Sequence, residues 1–182
     1  MAHYPDLEAN LAGGRYIGKA EAEAVKRPGL YRGFFKRAFD ILAVLLSAPF
    51  VLPILLILGF MIARDGGPVL YCQNRIGRGG RIFRIWKART MVIDAGAALE
   101  DYLASDPAAR PEWNEHQKLR KDPRITPAGR LIRKTSLDEL PQLWNVLTGD
   151  MSLVGPRPMM PSQTRLYPGR AYYRLRPGLT GF

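Results

Sequence analysis

The chain has 182 residues, 47% of them hydrophobic, and its 27 lysines and arginines against 16 aspartates and glutamates give a formal charge of +11. One cysteine excludes an internal disulfide, and two histidines leave too little for a Cys/His zinc site. The positive charge calls for an anionic partner; because the bases flank an apolar stretch, anionic membrane lipids and a phosphorylated substrate are expected, and nucleic acid is not.

Residues 1–33 read as a polar leader, broken at Gly13-Gly14 and Pro28-Gly29, with a short helix over 20–25. Residues 31–40, YRGFFKRAFD, interleave Phe34, Phe35 and Phe39 with Arg32, Lys36 and Arg37, which suits an amphipathic approach to a membrane interface. Residues 41–62, ILAVLLSAPFVLPILLILGFMI, are uncharged. As one helix they would measure about 33 Å, against a hydrocarbon core of about 30 Å. Pro49 and Pro53 each remove a helical donor and clash with the preceding turn. The flanks on both sides are basic, whereas a spanning segment is normally basic on one side. The pattern therefore predicts a re-entrant, proline-broken helix over 34–64 that returns both flanks to the cytoplasmic face. Ser47 is the nearby residue able to satisfy a carbonyl freed by the prolines.

Residues 65–182 form one domain expected to work at that face. Asp65-Gly66-Gly67-Pro68 is a turn. Residues 69–73 and 81–86 are short strands joined by a glycine-rich link over 74–80, a small β-hairpin. Helices are expected over 94–103, 111–119 and 128–133, with turns at Asp122-Pro123 and Thr126-Pro127, and a tyrosine-rich helical patch at 171–173. The fold class is α+β, mainly helical, with a re-entrant membrane helix, interfacial amphipathic helices and a small hairpin. Trp144 is most simply a core residue. The tyrosines and Trp144 leave packing across a homo-oligomer interface open.

The chemistry concentrates in residues 135–158. Ser136 followed by Glu139 has the form of a capping box opening a helix to Leu147. Asp138, in the first turn, would be favoured by the helix dipole. A structural role thus accounts for each acid. Adjacent carboxylates in a basic surround equally suit a nucleophile and a proton-transfer partner. In Pro156-Arg157-Pro158 the two prolines restrict the backbone around a guanidinium, which suits bidentate phosphate recognition. Lys87, Arg89, Arg75 and Arg78 are further phosphate candidates, and Arg130, Arg133 and Lys134 precede the acidic pair closely. No P-loop or dinucleotide glycine pattern occurs.

KRAFD at 36–40, QNRIGRGGRIFRIWKARTM at 73–91, DPRIT at 122–126, TSLDELPQLWNVLTGDMSLVGPRP at 135–158 and RPGLTG at 176–181 resemble the bacterial sugar transferase family. These are small monotopic polyprenyl-phosphate phosphoglycosyl transferases, and the likeness is to those that initiate exopolysaccharide. The resemblance covers about residues 34–181. It implies transfer of a sugar 1-phosphate from a UDP-sugar to undecaprenyl phosphate with release of UMP, by Mg²⁺-dependent ping-pong chemistry at the bacterial inner (cytoplasmic) membrane. Asp138 would be the nucleophile, Glu139 the proton acceptor, and both would help hold the metal. Arg157 and Lys87 would contact phosphates, with Arg75 supporting them. The helix break falls at Pro53, in Leu52-Pro53 where familiar members often have Ser-Pro. Ala88 replaces an aromatic residue of the family motif. Familiar members continue some tens of residues past PGLTG, so the chain reads as a short form or as C-terminally truncated. The reading from a different class is a non-catalytic scaffold with a basic lipid-binding face. Nothing in the sequence selects the sugar.

Overall fold

The computed structural model describes residues 34–116, 119–166 and 171–181. The expected leader helix over 20–25 lies outside them. The first element, α1 (Lys36–Ala63), is one uninterrupted helix of 28 residues that contains both prolines. The expected break into two halves at Pro53 is not seen, and the helix runs through both prolines. It is the one described helix long and apolar enough to cross a membrane, and only 11% of its most apolar window is buried. Bare apolar surface on that scale calls for lipid.

One face of α1 meets the rest of the protein. Near its start, Arg37 donates to the Val146 and Leu147 carbonyls. Asp40, 2% exposed, accepts from Ser152 Oγ at 2.7 Å and Leu153 N at 3.2 Å. Lys36 pairs with Asp40 at 3.6 Å and also donates to Ser152 Oγ. Near the other end, Leu58 and Ile62 pack with Ala88 and Ile132, and Arg89 donates to the Ile62 carbonyl at 3.1 Å. Both ends of α1 thus hold the same domain. Between them lies a cavity of about 580 Å³, lined on the helix side by Val44, Val51, Leu55 and Gly59 among others. At about 100° per residue Pro53 lies opposite Val44 and Leu55, on the exposed outer face. Ser47 Oγ donates to Val44 O at 2.8 Å, rather than to the Leu45 or Pro49 carbonyls that the prolines deprive of a partner.

The hairpin forms as expected but longer. β1 (Leu70–Ile76) pairs antiparallel with β2 (Ile82–Ala88), Arg75 opposite Phe83 and Tyr71 opposite Lys87. Its link is a single 3₁₀ turn, Arg78–Gly80, in which Gly79 and Gly80 take positive φ of 70° and 72°; a β-carbon is disfavoured there. Helices α2 (Ala95–Ser105) and α3 (Ala109–His116) make a satellite core of Leu99, Leu103 and Ala109, with Trp113 beside it. α4 (Pro127–Lys134) starts at Thr126, whose side chain accepts from Gly129 N at 2.9 Å. α5 (Gln142–Thr148) ends at Gly149, φ 91°. The expected helical patch at 171–173 is a 3₁₀ turn, Tyr172–Arg174.

A second sheet has no counterpart in the sequence expectations. β3 (Ser152–Val154) pairs in parallel with β4 (Gly178–Thr180). The ladder passes so close at Gly155 and Gly178 that a β-carbon on either would collide with the other's backbone. Small residues here let the GPRP and RPGLTG motifs lie side by side.

The main core is Val44, Phe83, Ile85, Val146 and Met151. Asn145, 1% exposed, completes it in polar fashion: its Oδ1 accepts from Trp86 N at 3.1 Å and its Nδ2 donates to Arg84 O at 2.8 Å. One side-chain amide thus stands in for a neighbouring strand along the free edge of β2.

A candidate active site between two cavities

Asp138 and Glu139 occupy a 3₁₀ turn, Leu137–Glu139, that opens from Ser136 in the left-handed region at φ 57°. The expected capping box does not form, because Ser136 makes no side-chain cap and the α-helix starts later, at Gln142. A left-handed Ser136 cannot hold the extended backbone an N-cap needs. Glu139 is therefore not occupied with helix amides. Its Oε1 instead accepts from Lys87 Nζ at 2.7 Å, while Asp138 Oδ2 stands 3.9 Å from the same ammonium. Lys87 comes from β2, and the contact of this strand with the 137–139 turn brings the three groups together.

Asp138 is the more enclosed acid, its side chain 16% exposed against 37% for Glu139. Burial pushes the Asp138 carboxyl above its ordinary range; Lys87 pulls it back, and Glu139 pushes it further up.

Glu139 and Lys87 face a cavity of about 390 Å³ that Arg75, Gln142, Arg157 and Pro158 also line. Asp138 is not among the residues that line it, but its Oδ2 lies 3.9 Å from the Lys87 ammonium that does. Arg157 is exposed. Arg75 serves the frame around it, donating to Pro158 O at 3.1 Å and Gln73 Oε1 at 2.7 Å. Burial, followed by the Arg157 charge, lowers the Arg75 pKa. Gln142 had no signal of its own in the sequence beyond following the acidic pair. It is 3% exposed, and it lines the cavity.

Three candidates lie elsewhere. Arg89 is buried against the end of α1, bonded to Ile62 O, with its Nε and Nη1 unpartnered. Arg133 donates to Thr90 Oγ1 at 2.7 Å and reaches Asp138 only through its field, which favours the ionised acid. Trp144, expected in the core, is 61% exposed and lines the apolar cavity under α1. Arg78 belongs to a third cavity, apart from the acids.

β2 divides the two larger cavities. Trp86 and Ala88 line the apolar one, whereas Ile85 and Lys87 line the charged one. The alternation of side chains along a strand makes that division. Leu140 and Pro141, directly after Glu139, return to the apolar side. Glu139 thus faces the charged cavity, while the two residues that follow it face the apolar one.

A family model described as bacterial sugar transferase matches residues 31–182. The chain belongs to this family. A UDP-galactose-lipid carrier transferase of Erwinia amylovora is 51% identical over 150 residues, covering 81% of this chain and 31% of the relative. An undecaprenyl-phosphate galactose phosphotransferase of Salmonella typhimurium is 49% identical, covering 81% and 32%. The exopolysaccharide production protein ExoY of Sinorhizobium fredii is 45% identical over 152 residues, covering 82% and 67%. The chain thus spans about a third of the first two sugar transferases and about two thirds of the third. Among the described residues no three Asp, Glu, His or Cys cluster as a metal cage. Asp138 and Glu139 offer two carboxylates, which fits Mg²⁺, an ion commonly held by one or two carboxylates plus substrate phosphates.

Proposed function

We propose that this chain is a phosphoglycosyl transferase that moves a sugar 1-phosphate from a UDP-sugar to undecaprenyl phosphate at the cytoplasmic face of the bacterial inner membrane. The observation that carries the reading is the Asp138–Lys87–Glu139 cluster between an apolar and a charged cavity, a layout matched to one lipidic and one soluble phosphate substrate. The relatives' printed activities, on galactose-bearing and undecaprenyl-phosphate substrates, agree with it.

In this reading the diphosphate of the donor enters the charged cavity, where Arg157 and Lys87 face its oxygens and Gln142 supplies an amide. The Asp138 carboxylate attacks the sugar-bearing phosphorus, the bond to the bridging oxygen breaks, and UMP leaves with that electron pair. An acyl phosphate on Asp138 results. A phosphate oxygen of the lipid, relieved of any proton by Glu139, then attacks the same phosphorus and regenerates the Asp138 carboxylate. Mg²⁺, when bound with the substrates, supplies charge neutralisation on the phosphoryl oxygens. Enclosure raises the energy of ionised Asp138, which favours its reaction, and the Lys87 charge opposes that rise. A purely scaffolding protein would have no use for a carboxylate held in such a place.

α1 is read as re-entrant, bowed at Pro49 and Pro53 with its convex face in lipid. The support is that both ends grip one domain, which a straight helix of about 42 Å running across the bilayer would not do. Residues 1–33, 34–64 and 65–182 then divide into leader, membrane element and catalytic domain. The cavity beneath α1 is the seat for the first isoprene units of the acceptor.

The test is UMP release with Mg²⁺, undecaprenyl phosphate and a panel of UDP-sugars. Release by the wild type and none by Asp138→Asn is expected. Equal release by the two proteins would remove Asp138 as nucleophile.

A further inference from the structure

The hairpin turn builds a second basic pocket, distinct from the one beside Glu139. Arg78 opens the 3₁₀ turn of the β1–β2 link and Arg81 follows it, and both line a cavity of about 100 Å³ with Gly77, Gly149, Asp150 and Arg176. The turn is closed by Gly77 N donating to Arg81 O at 2.7 Å. Arg176 reaches in from the segment before β4 and is anchored by Nε donating to Gly149 O at 2.9 Å. The rest of its guanidinium fork is left for another acceptor. Arg37 stands behind Gly149: a β-carbon there would be 3.5 Å from its Nη2.

The charges do not balance. Arg78, Arg81 and Arg176 form no ion pair among the described residues, and the one carboxylate on the cavity wall, Asp150, accepts from Thr148 Oγ1 at 3.1 Å. Asp40 is committed to Lys36, Ser152 and Leu153. Burial, then the charges of Arg78 and Arg37, lowers the Arg176 pKa, the response of a cation crowded by cations. Three guanidiniums around a cavity of about 100 Å³ present donors suited to one tetrahedral phosphate.

Location selects the source of that phosphate. Arg37 links the pocket to the start of α1, at and just before which Phe34, Phe35 and Phe39 stand 63%, 56% and 65% exposed. Aromatic rings of that kind sit at headgroup depth. We propose that Arg78, Arg81 and Arg176 form a binding site for the phosphodiester headgroup of an anionic phospholipid, separate from the pocket of the transfer reaction. The site would fix the rotation of the domain on the membrane, with α1 as one tether and the bound headgroup as another. It needs only the membrane association of α1, so its failure would leave the transfer chemistry untouched.

The experiment is arginine labelling by phenylglyoxal in lipid nanodiscs, quantified peptide by peptide with mass spectrometry. Arg78, Arg81 and Arg176 should label about fivefold more slowly in discs containing phosphatidylglycerol than in phosphatidylcholine discs. Arg110 and Arg120, outside the pocket, should label alike in both. Millimolar inorganic phosphate added to phosphatidylcholine discs should not reproduce the protection. In Arg78→Gln/Arg81→Gln, phosphatidylglycerol should no longer protect Arg176, while UMP release stays unchanged. Equal labelling in the two discs would overturn the site. Equal protection by free phosphate would overturn the lipid as its ligand. Persistent protection of Arg176 in the double variant would overturn the shared pocket.

Discussion

Replacing Asn145 with alanine should be among the most damaging single changes to this protein, although the residue touches no substrate. Its amide satisfies two backbone groups on the free edge of β2, the Trp86 N–H and the Arg84 carbonyl, from a position 1% exposed. Truncation leaves both without a partner, at about 1–3 kcal/mol each. It also opens a small void. Allowing for partial relaxation, the loss is about 3–5 kcal/mol. For a chain of this size about 2–4 °C accompanies each kcal/mol, so the melting temperature should fall by about 6–20 °C. Asn145→Asp keeps the acceptor for Trp86 N but sets a carboxylate against the Arg84 carbonyl, and should do no better. The assay is thermal unfolding of the detergent-solubilised protein by near-UV circular dichroism. A shift within about 2 °C for Asn145→Ala would refute the idea that this amide holds the edge of β2, the strand that carries Lys87.

Asp138→Asn should raise the melting temperature at neutral pH while abolishing turnover: a carboxyl whose folded pKa is raised loses stabilising free energy as pH rises through that value, and the amide escapes this loss. A lower melting temperature would contradict it. In single-turnover UMP release, the acid limb should move to higher pH in Lys87→Met and to lower pH in Glu139→Gln, since Lys87 favours and Glu139 opposes ionised Asp138; unmoved limbs would place another group in control. Gly178→Ala should destabilise by about 1–3 kcal/mol or more, because its β-carbon meets the Gly155 backbone and nothing there can yield. Gly96→Ala, with nothing near its β-carbon, should be neutral or slightly stabilising in the same unfolding assay.

The sequence made some of this plain and hid the rest for physical reasons. The hairpin was visible because strands of β-branched and aromatic residues flank a glycine-rich link; α4 was expected over 128–133, but Thr126-Pro127, read as a turn, is its N-cap and first residue. The apolar run announced α1, but whether two prolines break a helix or merely bow it depends on what its ends hold, and Arg37, Asp40 and Ile62 find their partners far along the chain. The β3–β4 pair was illegible because it is parallel, three residues a strand, and set by contact between two glycines distant in sequence. The capping box failed for a different reason. Its residues were right, but Ser136 takes a left-handed turn imposed by the close of α4, and this sends Glu139 to Lys87. Trp144 was misjudged because an aromatic on the wall of an open apolar cavity and an aromatic in a core share one sequence pattern. The acidic pair, Lys87 and Arg157 were nameable as residues; that Glu139, Lys87 and Arg157 share one charged cavity was not.

The central claim is that Asp138 carries the sugar phosphate covalently before the lipid acceptor arrives. Intact-protein mass spectrometry after mixing with Mg²⁺ and a turnover-competent UDP-sugar, without undecaprenyl phosphate, tests it most directly. The account predicts one sugar-phosphate adduct on the wild type, a matching burst of UMP, and no adduct on Asp138→Asn. Adduct formation on Asp138→Asn, or UMP release by wild type that occurs only when the lipid acceptor is present, would contradict it.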